Sequence, residues 1–143
     1  MAELLLVHGS CHGAWCWRDA VAALDARGHK ARCITLPGHG DGRDPAGVTL
    51  EETAEAVLAA STPGTIVLGH SWGGFPVSAA AEAGPGNLRG LIYLCAYLPA
   101  SGMSLIDMRR AGPRQTLTGA TAKNAAGTSY SFVAETAPEL FYH

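Results

Sequence analysis

Gly69-His70-Ser71-Trp72-Gly73 is the stretch of this chain whose residue types and spacing can do chemistry. A serine held between glycines at G-x-S-x-G spacing suits a nucleophile on a sharp strand-to-helix bend. Such a turn brings strand, helix and serine backbone too close together for a β-carbon at the flanking positions. The serine Oγ then stands in the open near the positive end of the helix dipole, where a developing oxyanion is stabilised. Acyl transfer by a serine needs a nucleophile, a base, a group that orients the base, and donors for the oxyanion. Ser71 supplies the first, and the backbone N–H of Trp72 supplies one oxyanion donor. The second donor normally comes from the loop after the first strand of such a sheet. Here that loop is His8-Gly9-Ser10-Cys11-His12-Gly13, and the Ser10 N–H is the candidate.

The surrounding elements must hold these groups in place. Thr65-Ile66-Val67-Leu68 reads as a short buried strand leading into the bend, and Phe75 to Ala83 as an alanine-rich helix leading out of it, with Pro76 tolerated in its first turn. Residues 3 to 8 read as the first strand. A helix from about Trp15 to Arg27 follows, with Trp17, Val21 and Leu24 as its buried stripe and Gly28 as its stop. Lys30 to Leu36 gives a second strand. Thr49 with Glu52 is a capping box opening a helix whose face carries Leu50, Ala54, Val57 and Leu58. Gly84-Pro85-Gly86 ends the elbow helix, and Leu91 to Ala96 gives a fourth strand. This alternation predicts a parallel, doubly wound sheet in a three-layer α/β/α sandwich. From Pro99 the pattern fails. The expectation is a core over 1–98 and an incomplete cap or lid over 99–143, with one or two short helices, one of them around Met103 to Arg110.

Composition narrows the function class. A chain of 143 residues, 48% hydrophobic, builds one core. Ten basic and twelve acidic residues without a run of either sign give neither a nucleic-acid groove nor a polybasic membrane anchor. The N-terminal stretch carries Glu3 where a signal peptide needs positive charge, and it reads as a strand. No apolar run approaches the ~18 residues of a membrane helix. Cys11, Cys16, Cys33 and Cys95 form no C-x-x-C pair and read as reduced, buried side chains. A cytoplasmic protein acting on a small molecule is the expectation.

Leu6-Val7-His8-Gly9-Ser10-Cys11-His12-Gly13-Ala14-Trp15, then Gly28-His29-Lys30, then Gly69-His70-Ser71-Trp72-Gly73-Gly74 resembles the α/β-hydrolase superfamily. More narrowly it resembles the methylesterase and hydroxynitrile-lyase branch, which includes plant methyl-salicylate esterases. The resemblance covers residues 3 to 98, and the remainder falls in that family's cap. It implies a Ser-His-Asp triad, no metal or other cofactor, and a small ester substrate under the cap. Carried across by position, Ser71 matches the nucleophile, and Ser10 and Trp72 match the oxyanion-hole residues. Cyanohydrin-cleaving members carry a threonine where this chain has Gly9, which favours ester hydrolysis here over C–C cleavage. Family members run on through further strands whose loops supply the acid and then the histidine. On this correspondence both lie beyond residue 143. Losing triad members leaves about 10³–10⁴-fold catalysis over water, so the 143 residues alone are expected to be a poor enzyme. The fourth strand would also be left as an open apolar edge, which predicts self-association or a partner chain there.

The histidines present do not replace the missing base on this reading. His8 and His12 are expected to hydrogen-bond the backbone of the oxyanion loop, His39 to shape its own loop, and His70 to point away from its neighbour Ser71. His143 is terminal. His8, Cys11, His12 and Cys16 have zinc-binding elements at a spacing that fits no common finger. Trp17 reads as core, while Trp15 is open between core and ligand contact. Tyr93 and Tyr97 read as strand packing, Phe132, Phe141 and Tyr142 either line a pocket or fill the lid, and Arg109, Arg110 and Arg114 read as solvated surface. Three functions follow: a methylesterase-like serine carboxylesterase, a hydroxynitrile-lyase-type C–C lyase, or a fragment that binds a ligand or partner without turnover.

Overall fold

The computed structural model describes residues 1–114 and 117–142. Four parallel strands form one sheet in the order β2-β1-β3-β4. They are β1 (Glu3–Val7), β2 (Lys30–Ile34), β3 (Thr65–His70) and β4 (Leu88–Leu94). Leu4 to Val7 are all buried, as a central strand covered on both faces requires. Leu6 stands beside Cys33 on one side and Leu68 on the other, so these three share a face.

Helices α1 (Arg18–Asp25), α2 (Leu50–Ala59) and α3 (Gly74–Ala83) connect the strands. On one face, α2 and α3 cover Leu5, Val7 and Val67 through Ala54, Val57, Val77 and Ala80. On the other, Leu4 and Leu6 pack with Trp17, Val21 and Leu24. The expected doubly wound, three-layer α/β/α architecture is therefore present. Local sequence accounts for the helix ends. Thr49 and Glu52 complete the capping box of α2. Gly28 takes φ +78°, and the N–H of His29 reaches back to the carbonyl of Leu24 to close α1.

Several boundaries differ from expectation for visible reasons. The helix expected from Trp15 begins with a 3-10 turn over Ala14–Trp17, because the Ala14 N–H is held by the Thr35 hydroxyl at 3.0 Å. β2 stops at Ile34 because the Leu36 N–H turns to His8 instead of to the ladder. β4 starts at Leu88 and stops at Leu94, where Cys95 takes φ +45°. Cys11, Cys16 and Cys33 are half-buried and Cys95, in a bend after β4, is exposed, so none of the four is fully buried as expected.

Beyond residue 98 lie α4 (Leu105–Ala111), a hairpin of β5 (Thr121–Lys123) and β6 (Tyr130–Phe132), and α5 (Ala137–Phe141). Ser104 and Asp107 form a capping box at the start of α4, in the region expected to be helical. The hairpin was not expected. Among the described residues β4 is an edge strand, with Ile92 and Leu94 40% and 43% exposed. Among the described residues no helix is long and apolar enough to cross a membrane.

Candidate active site

Ser71 opens a 3-10 turn between β3 and α3, and its φ of +54° puts a side chain in the left-handed region. A non-glycine residue there costs on the order of 1–3 kcal/mol and persists only where its surroundings fix it. The surroundings are close. A β-carbon on Gly69 would lie 2.6 Å from the Gly73 carbonyl oxygen, and one on Gly73 would lie 2.8 Å from that of His8. A β-carbon on Gly74 would lie 1.9 Å from the Tyr97 carbonyl oxygen, and the Tyr97 N–H donates to the Ser71 carbonyl at 3.0 Å. Among the described residues, the three non-glycine residues with positive φ, Cys11, Ser71 and Cys95, all lie past the carboxyl ends of strands, at β1, β3 and β4. Those ends are where open parallel sheets build their sites.

The β1 loop presses against this bend. A β-carbon on Gly9 would meet that of Ser71 at 2.9 Å, which brings the neighbouring Ser10 toward the serine. Ser10 and Trp72, the two candidate oxyanion residues, both line a cavity of about 810 Å³. Ser71, next to Trp72 in the chain, is half-buried and is not itself among the described residues that line this cavity. Trp15, Phe75, Leu105 and Ile106 add apolar walls, and none of the described lining residues is Asp, Glu, Lys or Arg. Drug-sized ligands occupy cavities of roughly 300–1,000 Å³.

His8 is fully buried, accepts the Leu36 N–H at Nε2 (3.0 Å) and donates from Nδ1 to the Gly9 carbonyl (2.8 Å). Burial lowers its pKa to about 4, with smaller contributions in the same direction from the neighbouring histidines. Both ring nitrogens being occupied, its role is to hold the loop, as expected. His12 bonds the Ser10 carbonyl through Nδ1 at 2.9 Å, also within the loop. His39 bonds the Pro37 carbonyl at 3.1 Å and stacks on Trp72 with ring centres 5.1 Å apart. Burial also lowers the pKa of His70, which meets Trp17 edge-on. None of these described histidines hydrogen-bonds Ser71, and His143 lies outside the described residues. No group of three or more His, Cys, Asp or Glu side chains among the described residues is arranged to hold a metal ion.

Trp17 is core at 8% exposure, whereas Trp15 is 62% exposed and stacks on His12 at the cavity. The Tyr93 hydroxyl shares a 2.7 Å hydrogen bond with Ser78, so Tyr93 serves packing. Phe132 and Phe141 pack edge-on to one another and to His12. Sequence reasoning missed Tyr130 and Phe75 as lining residues, because their proximity to the loop depends on tertiary packing.

Residues 4–143 match the model of the Alpha/beta hydrolase family. The chain belongs to that family. It is similar to esterase PIR7B of Oryza sativa subsp. japonica, 38% identical over 130 residues, which cover 80% of this chain and 48% of the relative. It is similar to the carbendazim hydrolyzing esterase of Nocardioides sp. (strain SG-4G), 39% identical over 114 residues, covering 76% of this chain and 47% of the relative. Among solved structures, a pyrethroid hydrolase from Sphingobium faniae JZ-2 superposes with a TM-score of 0.81 at 28% identity, over 99% of this chain and 60% of that one. The chain thus spans about half the length of the curated relatives it matches.

Proposed function

We propose that this chain carries the nucleophile and oxyanion hole of a serine carboxylic ester hydrolase of the methylesterase type. Ser71 attacks the ester carbonyl, and the N–H groups of Ser10 and Trp72 receive the oxyanion. A histidine and an aspartate from outside residues 1–143 activate the serine and protonate the leaving alcohol. The observation that carries this reading is the left-handed Ser71 on a glycine-flanked bend at the end of β3, against the loop that bears Ser10. Esterase names among the similar proteins support it. A cavity with no charged side chain among its described lining residues supports a small neutral ester. The reading also takes the protein to be cytoplasmic.

Gly9 favours the ester over a cyanohydrin, because cyanohydrin-cleaving members of the resembled branch carry there a threonine whose hydroxyl touches the substrate, and Gly9 has no side chain to do so. The test is labelling by a fluorophosphonate, with Ser71→Ala as control, beside turnover of a neutral aryl methyl ester. Labelling abolished in the variant is the expected result. A folded sample that binds the ester but is neither labelled nor active would instead support the non-catalytic binding alternative, which the absence of a histidine on Ser71 among the described residues favours.

A further inference from the structure

The loop after β2 is built around His39. His8 Nε2 accepts the Leu36 N–H at 3.0 Å, and the His39 N–H closes a turn on the Leu36 carbonyl at 3.2 Å. The Asp41 carboxylate accepts the N–H groups of Gly38 and Arg43 at 3.0 and 3.1 Å. Gly38 and Gly40 take φ +76° and +85°, so the turn leaves His39 as the one side chain between Pro37 and Asp41. The ring is held as well as the backbone. Its Nδ1 donates to the Pro37 carbonyl at 3.1 Å, it stacks on the Trp72 indole with centres 5.1 Å apart, and the His8 ring meets it at 62° with centres 4.8 Å apart.

A carbonyl only accepts, so the bond to Pro37 sets the tautomer. In the neutral ring the proton sits on Nδ1, and Nε2 is left as an acceptor. No described residue donates to that nitrogen, and it is not buried: among the described residues, the buried side-chain nitrogens without a partner are Trp17 Nε1 and His29 Nδ1. His39 lines the cavity of about 810 Å³ together with Ser10 and Trp72, so its Nε2 is an accessible acceptor in the wall of the candidate site. A serine or threonine hydroxyl in the same wall can turn to donate or to accept. An imidazole nitrogen locked in this tautomer can only accept, and it therefore discriminates between ligands.

We propose that His39 is a specificity-determining residue of this cavity, its Nε2 accepting a hydrogen bond from an O–H or N–H group of a neutral ligand. For the substrate the inference rests on the esterase reading, which it narrows to esters that carry a hydroxyl or N–H beside the ester group. For binding it stands without that reading. A ligand with a donor replaces the hydrogen bond that Nε2 otherwise makes to water, whereas the same ligand methylated at that donor covers the nitrogen and leaves it unpaired. The stack on Trp72 and the bond to Pro37 fix the direction of the acceptor before the ligand arrives, so little ordering is left for binding to supply.

Equilibrium binding of naphthol and of its methyl ether to the 143-residue chain tests this without turnover, since both are flat, neutral at pH 7 and differ in one donor. His39→Phe keeps a ring against Trp72 and removes the acceptor. The preference for naphthol over the ether is expected to fall about fivefold in this variant, the scale of one hydrogen bond between neutral groups, and His39→Gln, whose amide oxygen accepts, should recover part of it. A purely structural role for His39 would weaken both ligands alike and leave the ratio unchanged, and that result would overturn the proposal, as would a wild-type chain that binds neither. Should His39→Phe fail to fold, the imidazole nitrogen resonances of the wild-type chain decide. The His39 Nε2 signal is expected to move with naphthol and not with the ether, and an unmoved signal would overturn the proposal. For the substrate, the ratio of kcat/KM for methyl para-hydroxybenzoate to that for methyl para-methoxybenzoate should fall severalfold in His39→Phe, and an unchanged ratio would overturn the narrowing to donor-bearing esters. A wild-type protein that neither labels nor turns over would defeat the esterase reading, and the binding ratio would still decide the role of His39.

Discussion

A β-carbon on Gly9 would lie 2.9 Å from the β-carbon of Ser71, closer than such atoms approach without one of them moving. The loop that bears Ser10 and the bend that bears Ser71 therefore fit only because residue 9 has no side chain. Gly9→Thr is expected to displace the serine by a few tenths of an ångström and to cut fluorophosphonate labelling by at least about tenfold, since misplacements near 1 Å cost ~10²-fold. Unchanged labelling would show that the bend absorbs the added atoms and would remove the argument that Gly9 sets the chemistry.

Gly74 and Gly90 make an internal contrast. A β-carbon on Gly74 would meet the Tyr97 carbonyl oxygen at 1.9 Å, whereas nothing lies within 4 Å of one on Gly90. Gly74→Ala must push the loop after β4 away and strain the Tyr97 to Ser71 hydrogen bond. A loss of ~3 kcal/mol or more is expected, at or above the top of the usual range for overpacking. Gly90→Ala should be neutral or slightly stabilising, by less than ~1 kcal/mol, through the unfolded chain. Chemical denaturation of both variants checks the pair, and equal effects would count against the close approach at Gly74.

His8 makes stability depend on pH. Its folded pKa of about 4 lies below the ordinary 6.5, so between those values the unfolded chain binds the additional proton. Its contribution is complete above pH 6.5, falls as the pH drops toward 4, and changes no further below that. The loss across this window is at most about 3 kcal/mol. His70, also lowered by burial, adds a loss of the same sign. His8→Asn should therefore flatten, without abolishing, the acid limb of stability against pH measured by urea unfolding. An unchanged slope would mean that His8 titrates normally.

The strand-bend-helix around Ser71 was legible because it is written locally, in an apolar run, a glycine-framed serine and Pro76. The capping box of α2 was legible for the same reason, since Thr49 and Glu52 satisfy two backbone N–H groups within one turn, whereas the like pair Ser104 and Asp107 at α4 went unread although its helix was expected. The β5–β6 hairpin was not, because three-residue strands are too short to show a period of two. A weaker signal was present in its turn, where the Asn124 side chain accepts the N–H groups of Thr128 and Ser129 and Gly127 takes φ +71°. The cavity walls were illegible in principle. Trp15, Phe75 and Tyr130 belong to separate elements, and only the packed chain shows that they face the same loop.

The edge strand β4 gives the last prediction. Its outer backbone groups pair with no strand among the described residues, and Ile92 and Leu94 stand 40% and 43% exposed on the face that carries Leu68. A parallel sheet is ordinarily covered on both faces, and an apolar edge of this kind recruits another strand. The 143-residue chain studied alone is therefore expected to self-associate through β4, with a sedimentation coefficient that rises with concentration. Ile92→Lys combined with Leu94→Lys should return it to a monomer, because a charged edge resists pairing while the side chains replaced lie outside both core clusters. A wild-type chain that sediments as a monomer at all concentrations, with its β4 amides slow to exchange, would show that the edge is already protected and would sink the idea.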